Sequence, residues 1–96
     1  MRIRYSPRAV ADLDAVHRYL TERNPVVAAA VLAAIHAAVE FIRQNPRAAE
    51  ATRIPGVRGK IVQGYRFNIF YRLATNDVIE IVHIRHASRR PWTGED

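Results

Sequence analysis

Two β-rich runs near the C-terminus, joined by a short polar turn, constrain the fold of this chain most. Apolar and polar residues alternate along residues 65–73, whereas residues 78–85 are apolar on most of both faces. The first pattern is typical of a strand with one buried face, and the second of a strand in the middle of a sheet. Residues 74–77 (Ala-Thr-Asn-Asp) have the composition of a turn. The sequence therefore predicts an antiparallel strand pair, with 78–85 as a central strand.

Two helices are predicted in the N-terminal half. Ser6-Pro7 and Asn24-Pro25 are helix start signals, because Ser and Asn cap free N–H groups and Pro is tolerated in the first turn. Apolar residues then recur at helical spacing over Pro7–Arg23 and Pro25–Gln44. The two helices follow each other without a linker, so we expect a helical hairpin.

The remaining segments complete an α+β arrangement. Residues 1–5 alternate as in a half-buried strand, 47–52 are predicted to form a further helical turn, and 57–63 are predicted to form an edge strand. We therefore expect an N-terminal strand and an α-helical hairpin packed on a three- to four-stranded twisted antiparallel sheet. Ninety-six residues suit one domain, 1–96.

Composition narrows the class of protein. The chain has no cysteine, which excludes disulfides and Cys-based zinc sites. No apolar run approaches the roughly 18 residues that cross a bilayer, and we see no signal peptide. Residues 28–38, the most apolar stretch, are interrupted by His36 and are predicted to be a buried helix. We expect a cytoplasmic protein with no membrane association.

Positive charge is concentrated in the sheet half. The net charge is +6, and residues 53–90 carry eight basic side chains against two acidic ones. The first 52 residues carry seven basic and five acidic side chains. This asymmetry favours an acidic partner, which could be nucleic acid, phosphate or an acidic protein.

No cofactor or metal site is predicted. His83 and His86 lie three apart without a carboxylate at ligand spacing, and His17 and His36 lie on separate helices. None of the four glycines belongs to a phosphate-binding loop.

A basic cluster follows the last predicted strand and has three possible roles. It could be a docking patch with a tryptophan anchor, a metal-free RNA-cleaving site with His as acid or base, or a solvated tail whose tryptophan folds back onto the sheet. Its residues are Arg85, His86, Arg89, Arg90 and Trp92.

Several motifs in their order resemble the ParE/RelE toxin superfamily of bacterial type II toxin–antitoxin systems. The opening Tyr5-Ser-Pro-Arg-Ala-Val-Ala-Asp-Leu13 is similar to the family's Ser-Pro-x-Ala-x-x-Asp-Leu signature. Asn24-Pro25, Gln44-Asn-Pro46, Ile69-Phe-Tyr-Arg72 and a final strand followed by Arg89-Arg90 continue the match. The resemblance implies a helical hairpin on a twisted sheet and a partner antitoxin that wraps the toxin.

The superfamily includes ribosome-dependent mRNA endonucleases and gyrase poisons. RelE-type nucleases place Arg three residues before the strand Tyr, where this chain has Asn68, and an aromatic residue where it has Ala87. These departures favour the ParE-like branch, a non-enzymatic inhibitor of DNA gyrase. A metal-free endoribonuclease using His86, Arg66 and Lys60 is the alternative.

The resemblance also assigns surfaces. The target is predicted to bind the cluster of Arg85, His86, Arg89, Arg90 and Trp92. The antitoxin is predicted to bind Leu13, Val16, Leu20, Arg58 and Arg72, giving a hetero-oligomer. A third reading is a non-toxic, degenerate member that serves as a binding module.

Overall fold

A computed structural model describes residues 1–88 and 92–94 of the chain. Two helices pack on one face of a five-stranded sheet, and the core lies between the helices and the sheet. In chain order the elements are β1 (Arg2–Tyr5), α1 (Pro7–Arg23), α2 (Pro25–Gln44), β2 (Glu50–Ala51), β3 (Val57–Val62), β4 (Phe67–Leu73) and β5 (Val78–His86). The α+β class with its N-terminal strand and helical hairpin is confirmed.

The helices begin and end where their capping residues predict. The Ser6 hydroxyl oxygen accepts a hydrogen bond from the Ala9 amide at 3.0 Å and caps α1. Asn24 ends α1 by donating its backbone N–H to Leu20, and its side-chain oxygen accepts from the first amides of α2. One residue thus serves both helices, which explains the absence of a linker between them.

The sheet is mixed, which corrects the expected all-antiparallel arrangement of three to four strands. Its order is β1-β5-β4-β3-β2, and β1 runs parallel to β5. Parallel neighbours need a long crossover, and the helical hairpin with the strands that follow it provides one. β5 is hydrogen-bonded to β4 along one edge and, over residues 78–81, to β1 along the other, so it is an interior strand as predicted.

Two boundaries differ from the sequence prediction. Glu50–Ala51, expected to be helical, pairs antiparallel with the start of β3. β4 begins at Phe67 rather than residue 65, because Gly64 and Arg66 have φ of 85° and 56° and belong to the turn. Left-handed residues interrupt the extended backbone of a strand.

A register shift between β4 and β5 decides which side chains of β5 face the helices. Phe70 pairs with His83 but Tyr71 pairs with Ile81, so β5 carries one extra residue there. Ile81 and Ile84 are therefore both in the core, although they are three apart. In a regular strand His83 would share the face of Ile81, two residues before it; the shift places it on the opposite face.

The core is formed by α2, by part of α1 and by the inner face of β3, β4 and β5. By length and composition α2 could also cross a membrane. In this fold it is instead a core helix, because a continuous stripe of it is buried: Ala28, Val31, Ile35, Ala38, Val39 and Ile42.

The face of the sheet turned away from the helices, here called the open face, carries charged and aromatic rows. Glu80 stands between Arg4 and Arg72 and pairs with both, at 3.3 Å and 2.6 Å. Phe70 and His83 form the next row. The described tail residues 92–94 lie against this side, since Trp92 packs on that row and a Cβ on Gly94 would lie 3.4 Å from Ile54.

Candidate functional site

A groove of about 720 Å³ opens between α1, the start of α2 and the ends of β4 and β5. Its walls are mostly apolar, and Tyr19 and Tyr65 stand exposed at its rim. Asp12, Arg85 and His86 contribute the polar part. The apolar lining comes from both helices and both strands: Val16, Leu20, Val27, Val31, Phe67 and Ile84. Such a groove can accept an apolar segment of another chain.

The predicted antitoxin residues fall into three places. Val16 and Leu20 line the groove, and Leu13 packs against the core. Arg58 donates hydrogen bonds to the carbonyls of Arg47 and Ala49, so it fixes the loop before β2. Arg72 is on the open face with Glu80. Only the residues of α1 are brought together.

The predicted target-binding residues do not form one patch among the residues that the structure describes. His86 lines the groove, where its ring meets Phe67 edge to face at 5.2 Å. Arg85, paired with Asn68 on β4, lines the groove as well, whereas Trp92 packs on Phe70 and His83 at the open face. Arg89 and Arg90 lie outside the described residues.

Hydrogen bonds fix the tautomer of His86. Its Nδ1 accepts the backbone N–H of Ser88 at 3.1 Å and lies 2.5 Å from the Ser88 hydroxyl. A nitrogen that accepts from an amide carries no proton, so a neutral ring has its proton on Nε2. In the neutral ring Nε2 is therefore a hydrogen-bond donor and Nδ1 an acceptor.

A carboxylate–histidine pair lies at the edge of the sheet and was not predicted from the sequence. Asp12 Oδ2 is 2.6 Å from His83 Nδ1 and also accepts the Ile84 amide at 2.9 Å. Burial of His83, which is 1% exposed, lowers its pKa below 6.5 although Asp12 raises it. The two residues are 71 positions apart, so no local pattern could have indicated the contact.

Sequence comparison decides the family. A family model described as the ParE toxin of the type II toxin–antitoxin system parDE matches residues 3–91. The chain belongs to the ParE toxin family. The Y4kP protein of Sinorhizobium fredii is 30% identical over 89 residues, which cover 93% of this chain and 91% of that protein.

Solved structures agree with the ParE fold. A chain of the chromosomal ParDE system from P. aeruginosa superposes with a TM-score of 0.80 at 25% identity, over 92% of this chain and 97% of that one. A chain of the E. coli RelBE toxin–antitoxin complex gives a TM-score of 0.64 at 12% identity, over 92% of this chain and 98% of that one. The RelBE likeness shows a shared fold only.

Among the residues named for nuclease activity, Lys60 lies apart from His86, whereas Arg66 is adjacent to the His86–Ala87 segment. The Lys60 ammonium is 4.6 Å from the Phe41 ring centroid, on α2, and is not part of the groove lining. Arg66 is an exposed turn residue whose carbonyl accepts the Ala87 amide. His86 presents Nε2–H, as described above. Lys60 is therefore not assembled into one site with His86, and the contact that joins Arg66 to the His86–Ala87 segment is made by its backbone carbonyl.

Proposed function

We propose that this ParE-family toxin acts in the bacterial cytoplasm, arrests growth by binding DNA gyrase, and is neutralised by a cognate antitoxin seated in the groove. The groove is the observation that carries the proposal. It is apolar, accessible and bordered by exposed side chains of both helices. The match to the ParE toxin family and the likeness to a chain of a ParDE system support an antitoxin as its occupant.

The groove predicts the chemistry of that antitoxin segment. Val16, Leu20 and Val31 offer apolar surface that an amphipathic helix or an extended segment with alternating apolar residues can cover. The toxin carries a net charge of +6, so acidic residues flanking that apolar stripe would be complementary. The complex is then a hetero-oligomer held by an apolar centre and a charged rim.

A single charge in the groove tests the antitoxin site. Val16→Glu should weaken antitoxin binding at least about 100-fold, because it places an unpaired carboxylate in an apolar interface. Val10→Glu is the matched control, since Val10 is on the same helix, is 56% exposed and does not line the groove. Titration calorimetry with the purified antitoxin measures both. Equal affinities for the two variants would exclude the groove as the site.

The gyrase proposal is tested by a supercoiling assay. We expect purified toxin to inhibit supercoiling by gyrase, and a chain ending at Ser88 to lose that inhibition. This truncation keeps all of β5 and the Ser88–His86 contact, and it removes Arg89, Arg90 and Trp92. Full inhibition by the shortened chain would refute the tail as the target-binding surface, and unchanged supercoiling at saturating full-length toxin would remove the gyrase claim.

The endonuclease alternative is separated by primer extension on mRNA in a translating extract. Cuts in register with codons that disappear with His86→Ala would establish it, whereas the separation of Lys60 and His86 leads us to expect none. Normal growth after induction without antitoxin would instead identify a non-toxic binding module.

A further inference from the structure

The outer edge of β5 is completed by α1 rather than by a strand. β1 ends at Tyr5, opposite Ile81. Beyond that point the Ser6 hydroxyl donates to the Val82 carbonyl at 3.0 Å, and the Asp12 carboxylate accepts the Ile84 amide at 2.9 Å. These side chains supply hydrogen bonds that a neighbouring strand would otherwise make. Asp12 is thereby fixed at the sheet edge.

The same carboxylate orients the buried ring of His83. Carboxylate oxygens accept hydrogen bonds, so the proton on Nδ1 points at Asp12 and Nε2 is an acceptor in the neutral ring. The Trp92 ring centroid is 4.8 Å from that of His83 and 4.9 Å from that of Phe70. His83 and Phe70 therefore form the platform on which the tail rests.

The contact between ring and tail includes unsatisfied polar atoms. His83 Nε2 and Trp92 Nε1 are both buried without a hydrogen-bond partner, and so is Nε of Arg85. A buried polar atom without a partner opposes the arrangement that buries it, because it has lost its hydrogen bonds to water. Ring packing thus holds the tail, and the unsatisfied polar atoms oppose it. The position of the tail is therefore sensitive to the protonation of His83.

We propose that Asp12 and His83 are positioning residues that hold the tail on the open face through Trp92, and that a second proton on His83 releases it. Only the idea that the released tail binds a target rests on the proposed function. The docking of Trp92 on the open face concerns the protein without any partner. Release would expose Phe70 and the Trp92 ring together.

The chemistry beneath Trp92 sets the direction of the switch. A second proton would turn Nε2 from an acceptor into a charged donor, and the other buried unpartnered atoms there, Trp92 Nε1–H and Arg85 Nε–H, are donors that cannot accept from it. The charged groups facing His83 are Asp12 and Arg8 from α1 and Arg85 from β5. Asp12 favours the second proton, both arginines oppose it, and burial opposes it most.

The pH window follows from proton binding. In the docked state the pKa of His83 is below 6.5, whereas in the released state the ring is exposed and its pKa returns towards that value. The released state therefore binds more protons just below pH 6.5. The contribution of neutral His83 to docking is therefore fully present above about pH 6.5 and is lost as the pH falls from there to the lowered pKa.

Trp92 is the single tryptophan of the chain, so its fluorescence reports the tail directly. At pH 7.5, Asp12→Ala should shift the emission to the red and increase acrylamide quenching about twofold or more. Asp14→Ala is the matched control, because Asp14 is on the same helix in an exposed pair with Arg18. Far-UV circular dichroism checks that both variants fold. Wild-type emission and quenching in folded Asp12→Ala would overturn the proposal.

A second variant tests the proton itself. His83→Phe keeps an aromatic ring beneath Trp92 but removes both nitrogens, so its tail should stay docked with the same emission at pH 7.5 and 5. The wild type should shift to the red over that range. A pH-independent wild type, or an equal shift in His83→Phe, would overturn the release mechanism. These measurements need no gyrase, so a failed supercoiling assay would remove the target and leave the tail mechanism standing.

Discussion

At the scale of single residues, Tyr71 joins the end of α2 to the sheet. Its ring is fully buried and its hydroxyl donates to the Pro46 carbonyl at 2.8 Å; burial also raises its pKa. Tyr71→Phe should lower the free energy of unfolding by about 1 kcal/mol, because the carbonyl loses a buried partner. Urea denaturation measures the loss. Tyr19→Phe, at an exposed position of α1, should change it little, and equal effects would contradict this account.

Glu80 makes the free energy of unfolding depend on pH in the acid range. Burial alone would raise its pKa, but hydrogen bonds and charges from Arg72 and Arg4 outweigh burial and lower it below 4.5. A carboxyl with a lowered folded pKa stabilises the fold above its unfolded pKa and loses that contribution as the pH falls through the folded value. Glu80→Gln should therefore lower the urea midpoint at neutral pH and flatten its decline below about pH 4.5. Glu22→Gln, an exposed change on α1, should retain the wild-type profile.

The sequence indicated individual candidates at this scale but not their pairing. It marked Val16 and Leu20 as one apolar face of a helix, and they line the groove. It gave no sign that Asp12 and His83 would pair, because their contact depends on where α1 crosses β5. The register shift at Phe70, which sets the direction of His83, has no local sequence signal.

At the scale of elements, the helices were predictable because their determinants are local. Ser6 and Asn24 cap through bonds that span only a few residues. β2 and the parallel pairing of β1 were not predictable from local pattern, because two residues become a strand only when β3 lies beside them. Strand order is likewise not a local property, because β1 pairs with the edge of β5 that β4 leaves open.

The turn between β4 and β5 offers an element-scale test. Asn76 and Asp77 have φ of 61° and 58°, as in a type I′ turn, which favours Asn-Gly. Asp77→Gly should stabilise the protein by up to about 1 kcal/mol, because glycine adopts this conformation without steric cost. Asp77→Ala removes the same charge without relieving φ and should not stabilise. Thermal unfolding of both distinguishes conformation from charge, and equal gains would attribute the effect to charge.

At the scale of the whole molecule, we expect the net charge to set how fast the antitoxin associates and to have little effect on how fast it dissociates. With a net charge of +6 on a small surface, association with an acidic antitoxin should be electrostatically steered. Raising NaCl from about 50 to 500 mM should slow association on the order of tenfold and leave dissociation nearly unchanged. Stopped-flow binding measures both rates. A salt-insensitive association rate would show that the apolar groove alone governs capture.

The pairing of the first strand with the last has a consequence for synthesis of the protein. Residues 2–5 pair with residues 78–81, and Asp12 of α1 contacts His83 of β5. Neither contact can form until β5 has emerged from the ribosome, so the nascent chain carries helices with no complete sheet beneath them. The complete sheet, and with it the contact between Asp12 and His83, therefore forms only after β5 has been synthesised. An antitoxin translated earlier would already be present when the groove between the helices and β5 first forms.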